Sequence, residues 1–188
     1  MRIVGGRHRG RPIDAPAGQA VRPTSDRARQ AVFDVLVHGI DDFTIDGITV
    51  LDAFAGSGAL GLEALSRGAA AATFLENDRA IAGLIRANAA KLGEARAVLI
   101  LGVDAANPPR PPLAARMPAG LAFLDPPYRS GVAPAALANL ALKGWIGEGG
   151  IAVVEVGKAE PFQAPPGFTL IDERSYGAAK VVFLRRDA

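Results

Sequence analysis

Five apolar, β-rich runs constrain this chain more than any other feature: ITVLDAF (48–54), ATFLE (72–76), AVLIL (97–101), LAFLD (121–125) and IAVVEV (151–156). Helix-length segments stand between most of them. A helix is expected over 59–67, ended by Gly68, and another from Asp78 to Leu92, ended by Gly93; a third is expected over 132–142. The Pro-rich stretch NPPRPP (107–112) reads as a loop. Strands that are apolar along their whole length, alternating with helices, predict a parallel sheet covered on both faces. Two further strands, FTLIDER (168–174) and KVVFLRR (180–186), are joined by a short turn with Gly177 and have no helix between them. They predict an antiparallel hairpin at one edge. The fold expected is a doubly wound α/β sandwich with a mostly parallel seven-stranded sheet.

The 49 % hydrophobic and 21 % charged residues fit a globular chain, and 188 residues suit one domain. Net charge is only +2, but its distribution is uneven. Residues 1–29 hold seven arginines against two acids, leaving the rest of the chain net acidic. We read residues 1–24 as a basic N-terminal arm, with RIVGG and RPIDAP as a short strand pair, and 25–188 as the main domain. A helix over 25–38, capped by Thr24 or Ser25, turns Ala28, Val32, Val35 and Leu36 to one side. Trp145 is expected in the core. A basic arm suits a polyanion, and Arg2, Arg7, Arg9 and Arg11 are its expected phosphate contacts.

Cysteine is absent and the two histidines lie far apart, so a metal site is not expected. No signal-like leader and no membrane-length apolar run occur, and the expected place is the cytoplasm.

In open α/β sheets, ligands bind beyond the carboxyl ends of the strands. The first strand runs into LDAFAGSGALG, where Gly56, Gly58 and Gly61 satisfy G-x-G-x-x-G between strand and helix. That pattern predicts a nucleotide cofactor. Asp52, at the same strand end, would repel a pyrophosphate and favour a cationic ligand such as S-adenosylmethionine (SAM). Glu76, at the end of the second strand, can accept ribose hydroxyls in either class of cofactor. Asp104, after the third, is either a partner for the adenine amino group or a loop cap.

The fourth strand ends in Asp125-Pro126-Pro127-Tyr128. An exocyclic amine is a poor nucleophile because its lone pair is delocalised into the ring. The Asp125 carboxylate and the Pro126 carbonyl, stiffened by Pro127, offer two acceptors that could draw that lone pair towards a methyl donor. Tyr128 offers a stacking face worth roughly 1–3 kcal/mol.

The D-P-P-Y stretch resembles the fourth motif of SAM-dependent amino-methyltransferases, and LDAFAGSGALGLEALSRGA resembles their first. With RIVGGRHRGRPI, RPTSDRARQAVFDVL and ERSYGAAKVVFLRR, the chain resembles, over essentially its whole length, the bacterial 16S ribosomal RNA guanine-N2 methyltransferase family RsmD. The resemblance implies SAM as cofactor, transfer to the N2 amine of one 16S rRNA guanine, and the small ribosomal subunit as partner. It implies that Asp52, Phe54, Gly56, Gly58, Glu76, Asn77 and Asp104 hold SAM, with Arg22 and Thr24 lying over it. Asp125 to Tyr128 would hold the guanine, and the enzyme would act as a monomer without a metal or membrane. Gln30 stands where an acid is more usual, which bears on a local helix contact.

A dehydrogenase would explain the glycines and Glu76 but neither D-P-P-Y nor the basic arm. A DNA amino-methyltransferase usually needs a target-recognition domain, and no residues remain for one. A glutamine methyltransferase would more usually carry Asn at 125. A catalytically inactive RNA-binding assembly factor would not need motifs intact at four successive strand ends.

Overall fold

The computed structural model describes residues 1–16, 26–127 and 131–188. The expected Thr24 or Ser25 cap and the site positions Arg22, Thr24 and Tyr128 fall outside them.

The elements are β1 (Thr49–Ala53), β2 (Ala71–Leu75), β3 (Val98–Leu101), β4 (Ala119–Leu124), β5 (Ile146–Gly157), β6 (Phe168–Tyr176) and β7 (Ala179–Arg186), with helices α1 (Asp26–His38), α2 (Ala59–Ser66), α3 (Arg79–Leu92) and α4 (Ala133–Leu142). They form one seven-stranded sheet in the order β3-β2-β1-β4-β5-β7-β6. β1 to β5 pair in parallel, and β7 runs antiparallel to β5 and β6. The order reverses between β1 and β4, which opens a crevice at their carboxyl ends.

Alternate strand residues divide into two cores. Val50, Phe74, Phe123, Val153 and Phe183 meet α1, α2 and α3 on one face. Leu51, Leu75, Leu124, Val154 and Leu184 meet α4, Trp145 and the 105–115 loop on the other. Trp145 is fully buried and its indole N–H donates to the Pro109 carbonyl at 2.8 Å. In α3, Asp78 caps the start by accepting the Ala80 and Ile81 N–H groups, and Gly93 ends it at φ +82°.

Several elements differ from the sequence reading. β5 begins five residues early, taking in the EGG stretch where Gly149 has φ +72°; Glu and Gly are poor strand formers, which hid this half of the strand. A short 3₁₀ turn (Leu113–Ala115) follows the Pro-rich loop. α1 buries Arg29, Val32, Phe33 and Leu36, whereas Ala28 and Val35 are only partly covered. Phe33 reaches Phe123 on the sheet, and the Arg67 guanidinium lies 4.7 Å over its ring. Gln30 accepts from Arg67 at 3.1 Å and donates to Asp34 at 2.6 Å, so an amide fills that helix contact.

The N-terminal residues are docked on α2 and α3. A single antiparallel bridge, Arg2 with Pro12, makes them a hairpin, and Ile3 and Ile13 are buried. The N–H groups of Val4 and Gly5 both donate to the buried Glu63 carboxylate, at 2.8 and 2.7 Å. Arg67 donates to Glu63 at 2.8 Å, and Arg29 lies 3.6 Å from it. The His8 N–H donates to Ser66, and the Asp14 N–H to Asn88. Arg7 and His8 both pair with Glu94. Burial alone would raise the Glu94 carboxyl, but the His8 and Arg7 hydrogen bonds outweigh it and hold it below the usual range.

Candidate active site

The glycine loop is shaped from both sides. β1 ends at Ala53, and Phe54 takes φ +61°, a conformation rare for a bulky residue and one that clusters at functional sites. Gly56 follows at φ +51°, with its N–H donated to Glu76 Oε2 at 3.1 Å. Gly58 caps α2. A Cβ at Gly61 would stand 2.5 Å from the Phe74 ring, so only glycine lets α2 lie this close to the sheet.

The registers place four side chains in a row. Leu75 pairs with Ala53, Ala53 with Leu124, and Leu124 with Val154. One position further along each strand come Glu76, Phe54, Asp125 and Glu155. All four line one cavity of about 460 Å³, within the roughly 300–1,000 Å³ typical of small-molecule sites. Asn77, Ile81 and Asp104 line its β2–β3 side, and Gly56, Pro126 and Pro127 also border it. Glu76 Oε1 accepts the Asp78 N–H at 2.9 Å, so its two oxygens are aimed by backbone on both sides. Asp104 caps its own loop by accepting the Ala106 N–H at 2.9 Å and also borders the cavity. Pro126 is buried and Pro127 exposed.

The electrostatics follow from burial. Desolvation pushes Asp125 up to about 7, with the neighbouring Glu155 charge adding to it. Asp52 is pushed up to about 8 by burial, against the opposing Gly61 N–H bond, with smaller contributions from Asp125 and Glu76.

The sequence-predicted residues therefore divide. Phe54, Gly56, Glu76, Asn77, Asp104, Asp125, Pro126 and Pro127 meet at the cavity. Asp52 and Gly58 do not border it. Asp52 is 3 % exposed and accepts the Gly61 N–H at 2.9 Å, bracing the loop from beneath. Glu155 was missed, although it carries the signal used elsewhere, an acid at a strand's carboxyl end. Arg2, Arg7, Arg9 and Arg11 do not border the cavity. Arg7 pairs with Glu94, Arg11 donates to the Leu92 carbonyl at 3.1 Å, Arg2 pairs with Asp26, and Arg9 is exposed. Among the described residues no cluster of three metal-ligating side chains occurs, and no helix is long and apolar enough to cross a membrane.

The family described as Conserved hypothetical protein 95 matches residues 1–185. The chain is 40 % identical over 158 residues to the ribosomal RNA small subunit methyltransferase D of Escherichia coli K12, covering 82 % of this chain and 74 % of that protein. It is 32 % identical to the protein of the same name from Haemophilus influenzae, covering 94 % of this chain and 89 % of the other. The solved structure of the Escherichia coli methyltransferase-fold protein yhhF superimposes with a TM-score of 0.82 at 33 % identity, over 100 % of this chain and 98 % of that one. A chain matched along its length by these relatives, with Gly56, Glu76, Asp104 and Asp125 drawn to one cavity at the sheet's reversal point, belongs to the RsmD family of ribosomal RNA methyltransferases.

Proposed function

We propose that this protein transfers the methyl group of SAM to the exocyclic N2 amine of one guanine in 16S ribosomal RNA, presented by the small ribosomal subunit. The observation that carries the cofactor is the charge of the cavity. Glu76, Asp104, Asp125 and Glu155 line it, with no basic side chain among the described lining residues. A pyrophosphate would be repelled there, whereas the ammonium and sulfonium of SAM are cations. The charge argument made for Asp52 from the sequence thus rests on its neighbours.

SAM supplies a methyl carbon already activated by its sulfonium sulfur. Glu76 keeps lone pairs for the ribose hydroxyls beyond the two it gives to backbone N–H groups. Asp104 has acceptor capacity for the adenine amine, and Phe54, Gly56 and Asn77 shape the walls. Arg22 and Thr24 belong over the cofactor, and Tyr128 against the base, by the family pattern. At the other end, the Asp125 carboxylate and Pro126 carbonyl accept the amine hydrogens. So held, the amine nitrogen would take the methyl group that bound SAM supplies and shed one proton. Asp125, raised to about 7, is matched to receive it near neutral pH. Most of the catalysis is positioning.

The test is methyl transfer from labelled SAM to small subunits purified from a strain lacking the gene, with the product nucleotide identified by mass spectrometry. One guanine gaining a single N2-methyl group is the expected result. Label found only in DNA or protein, or in no nucleotide, overturns the reading.

A further inference from the structure

Glu155 is the one cavity acid for which the family motifs give no role. It stands on β5 beside Asp125. Leu124 and Val154 are partners in the parallel β4–β5 ladder, so the next positions, Asp125 and Glu155, lie on neighbouring strands, about 4.8 Å apart in the sheet direction. Two positions back, Phe123 and Val153 face the same core, which sets Asp125 and Glu155 towards the same side. Both border the cavity at the end occupied by Pro126 and Pro127. β5 continues to Gly157 and is paired to β7 at Glu155 itself, through Val181, one position past the last β4–β5 pair, Leu124 with Val154.

Two adjacent carboxylates make an unusual receptor for a base. Adenine presents an amine beside an unprotonated ring nitrogen, a donor next to an acceptor. Guanine presents its N2 amine beside N1–H, two donors in a row. Among the described residues, Asp125, Glu155 and the Pro126 carbonyl present acceptors, which match the second and leave a lone pair facing a lone pair in the first.

We propose that Glu155 determines the choice of base, accepting the guanine N1–H while Asp125 and the Pro126 carbonyl hold the N2 amine. This rests on the reading of the site as a guanine-N2 methyltransferase. Electrostatic repulsion between Glu155 and Asp125 is relieved when donor hydrogens are shared between them, so the pair favours a base edge that brings donors to both. Glu155 is thereby a specificity residue and Asp125 the one that meets the reacting nitrogen.

The probe is 2-aminopurine, which keeps the exocyclic amine of guanine but has no hydrogen on N1. Small subunits are reconstituted with 16S rRNA carrying either guanine or 2-aminopurine at the methylated position, and kcat/KM is compared for wild type, Glu155→Gln and Glu155→Ala. Wild type should prefer guanine by about ten- to a hundred-fold or more, because the analogue leaves a charged acceptor facing a lone pair. Glu155→Gln can turn its amide N–H towards the bare N1, so the preference should fall to near unity or reverse. Glu155→Ala should lose the preference without that gain. Any loss of SAM affinity in the variants, read by calorimetry, acts on both substrates alike and leaves their ratio unaltered.

Wild type using both substrates equally overturns the inference whatever the variants do. Glu155→Gln retaining the wild-type preference overturns it as well. Failure of wild type to methylate the guanine-bearing subunit overturns the parent reading, and this one with it.

Discussion

The Asp52 carboxyl group accepts the N–H of Gly61 at 2.9 Å, tying the end of β1 to the first turn of α2 beneath the glycine loop. Asp52 is buried and its pKa is raised from 3.8 to about 8, so between those values the folded chain holds a proton that the unfolded chain has lost. Stability should therefore fall as pH rises from about 4 to 8, by at most about 1.4 kcal/mol per pH unit from this group. Asparagine can accept the same N–H without ionising. Asp52→Asn should flatten the decline, leaving a residual slope from Asp125 that ends near pH 7. Urea unfolding at pH 5, 6, 7 and 8 measures it, and equal slopes in the two proteins would contradict the assignment.

Asp125 should govern turnover rather than cofactor affinity. Asp125→Ala is expected to remove most methyl transfer while SAM binds within a few-fold of wild type. Below its pKa the carboxyl group is a weaker acceptor for the amine hydrogens. Wild-type kcat/KM should thus climb with pH through about 7, and Asp125→Asn should show a flat, low profile. A wild-type profile indifferent to pH from 6 to 8 counts against the role.

Glu76→Ala should weaken SAM first. Losing charged hydrogen bonds to two hydroxyls costs about 1.5–3 kcal/mol, roughly ten- to a hundred-fold in affinity. The same change releases the Gly56 and Asp78 N–H groups, so the loop should exchange its amide hydrogens faster as well. Calorimetry that finds SAM bound as tightly as before would remove Glu76 from the cofactor site.

The docked hairpin gives an acid-sensitive element. Because the Glu94 carboxyl is held below its usual 4.5, its pairing with His8 and Arg7 stabilises the fold above that value and is lost as pH falls through the lowered one. Amide exchange at Ile3, Gly10 and Ile13 should accelerate ahead of the sheet as the pH falls below 4.5. Glu94→Ala should lower stability by about 1–2 kcal/mol at pH 7 and abolish that early acid step. A hairpin that exchanges with the global unfolding rate at every pH would exclude it.

RNA contact by this segment is tested by substitution rather than deletion, since removing residues 1–11 also removes the groups bound to Glu63. Arg9 is exposed, whereas Arg7 and Arg11 are engaged with Glu94 and the end of α3. Arg9→Ala should leave the melting temperature unchanged and make the log–log salt dependence of RNA binding shallower by about 0.7. Arg11→Ala should instead lower the melting temperature. An unaltered salt slope in Arg9→Ala would take that residue out of the RNA contact.

The sheet was legible because its central strands are apolar on both faces, and a run such as LAFL (121–124) has few other ways to fold. The glycine loop was legible because Gly61 is required by packing against Phe74 and leaves its mark in the sequence. Glu155 was not, because VVEVG reads as an ordinary strand until the β4–β5 register sets it beside Asp125. Nor was the fate of the N-terminus. The helix expected over 59–67 carries no local sign that Glu63 is fully buried, because its partners at Val4 and Gly5 lie 59 and 58 residues away. Charge counting registered the arginines but could not see which acids they would meet.

The seating of the N-terminal hairpin also bears on how the protein is made. Its anchors, Glu63, Ser66, Asn88 and Glu94, are all synthesised long after the residues they hold. At about 5–20 residues per second, Ile3 and Ile13 wait for roughly 5–20 s before their last anchor exists. The opening residues of the chain therefore cannot nucleate its folding; they close over a body that is already taking shape.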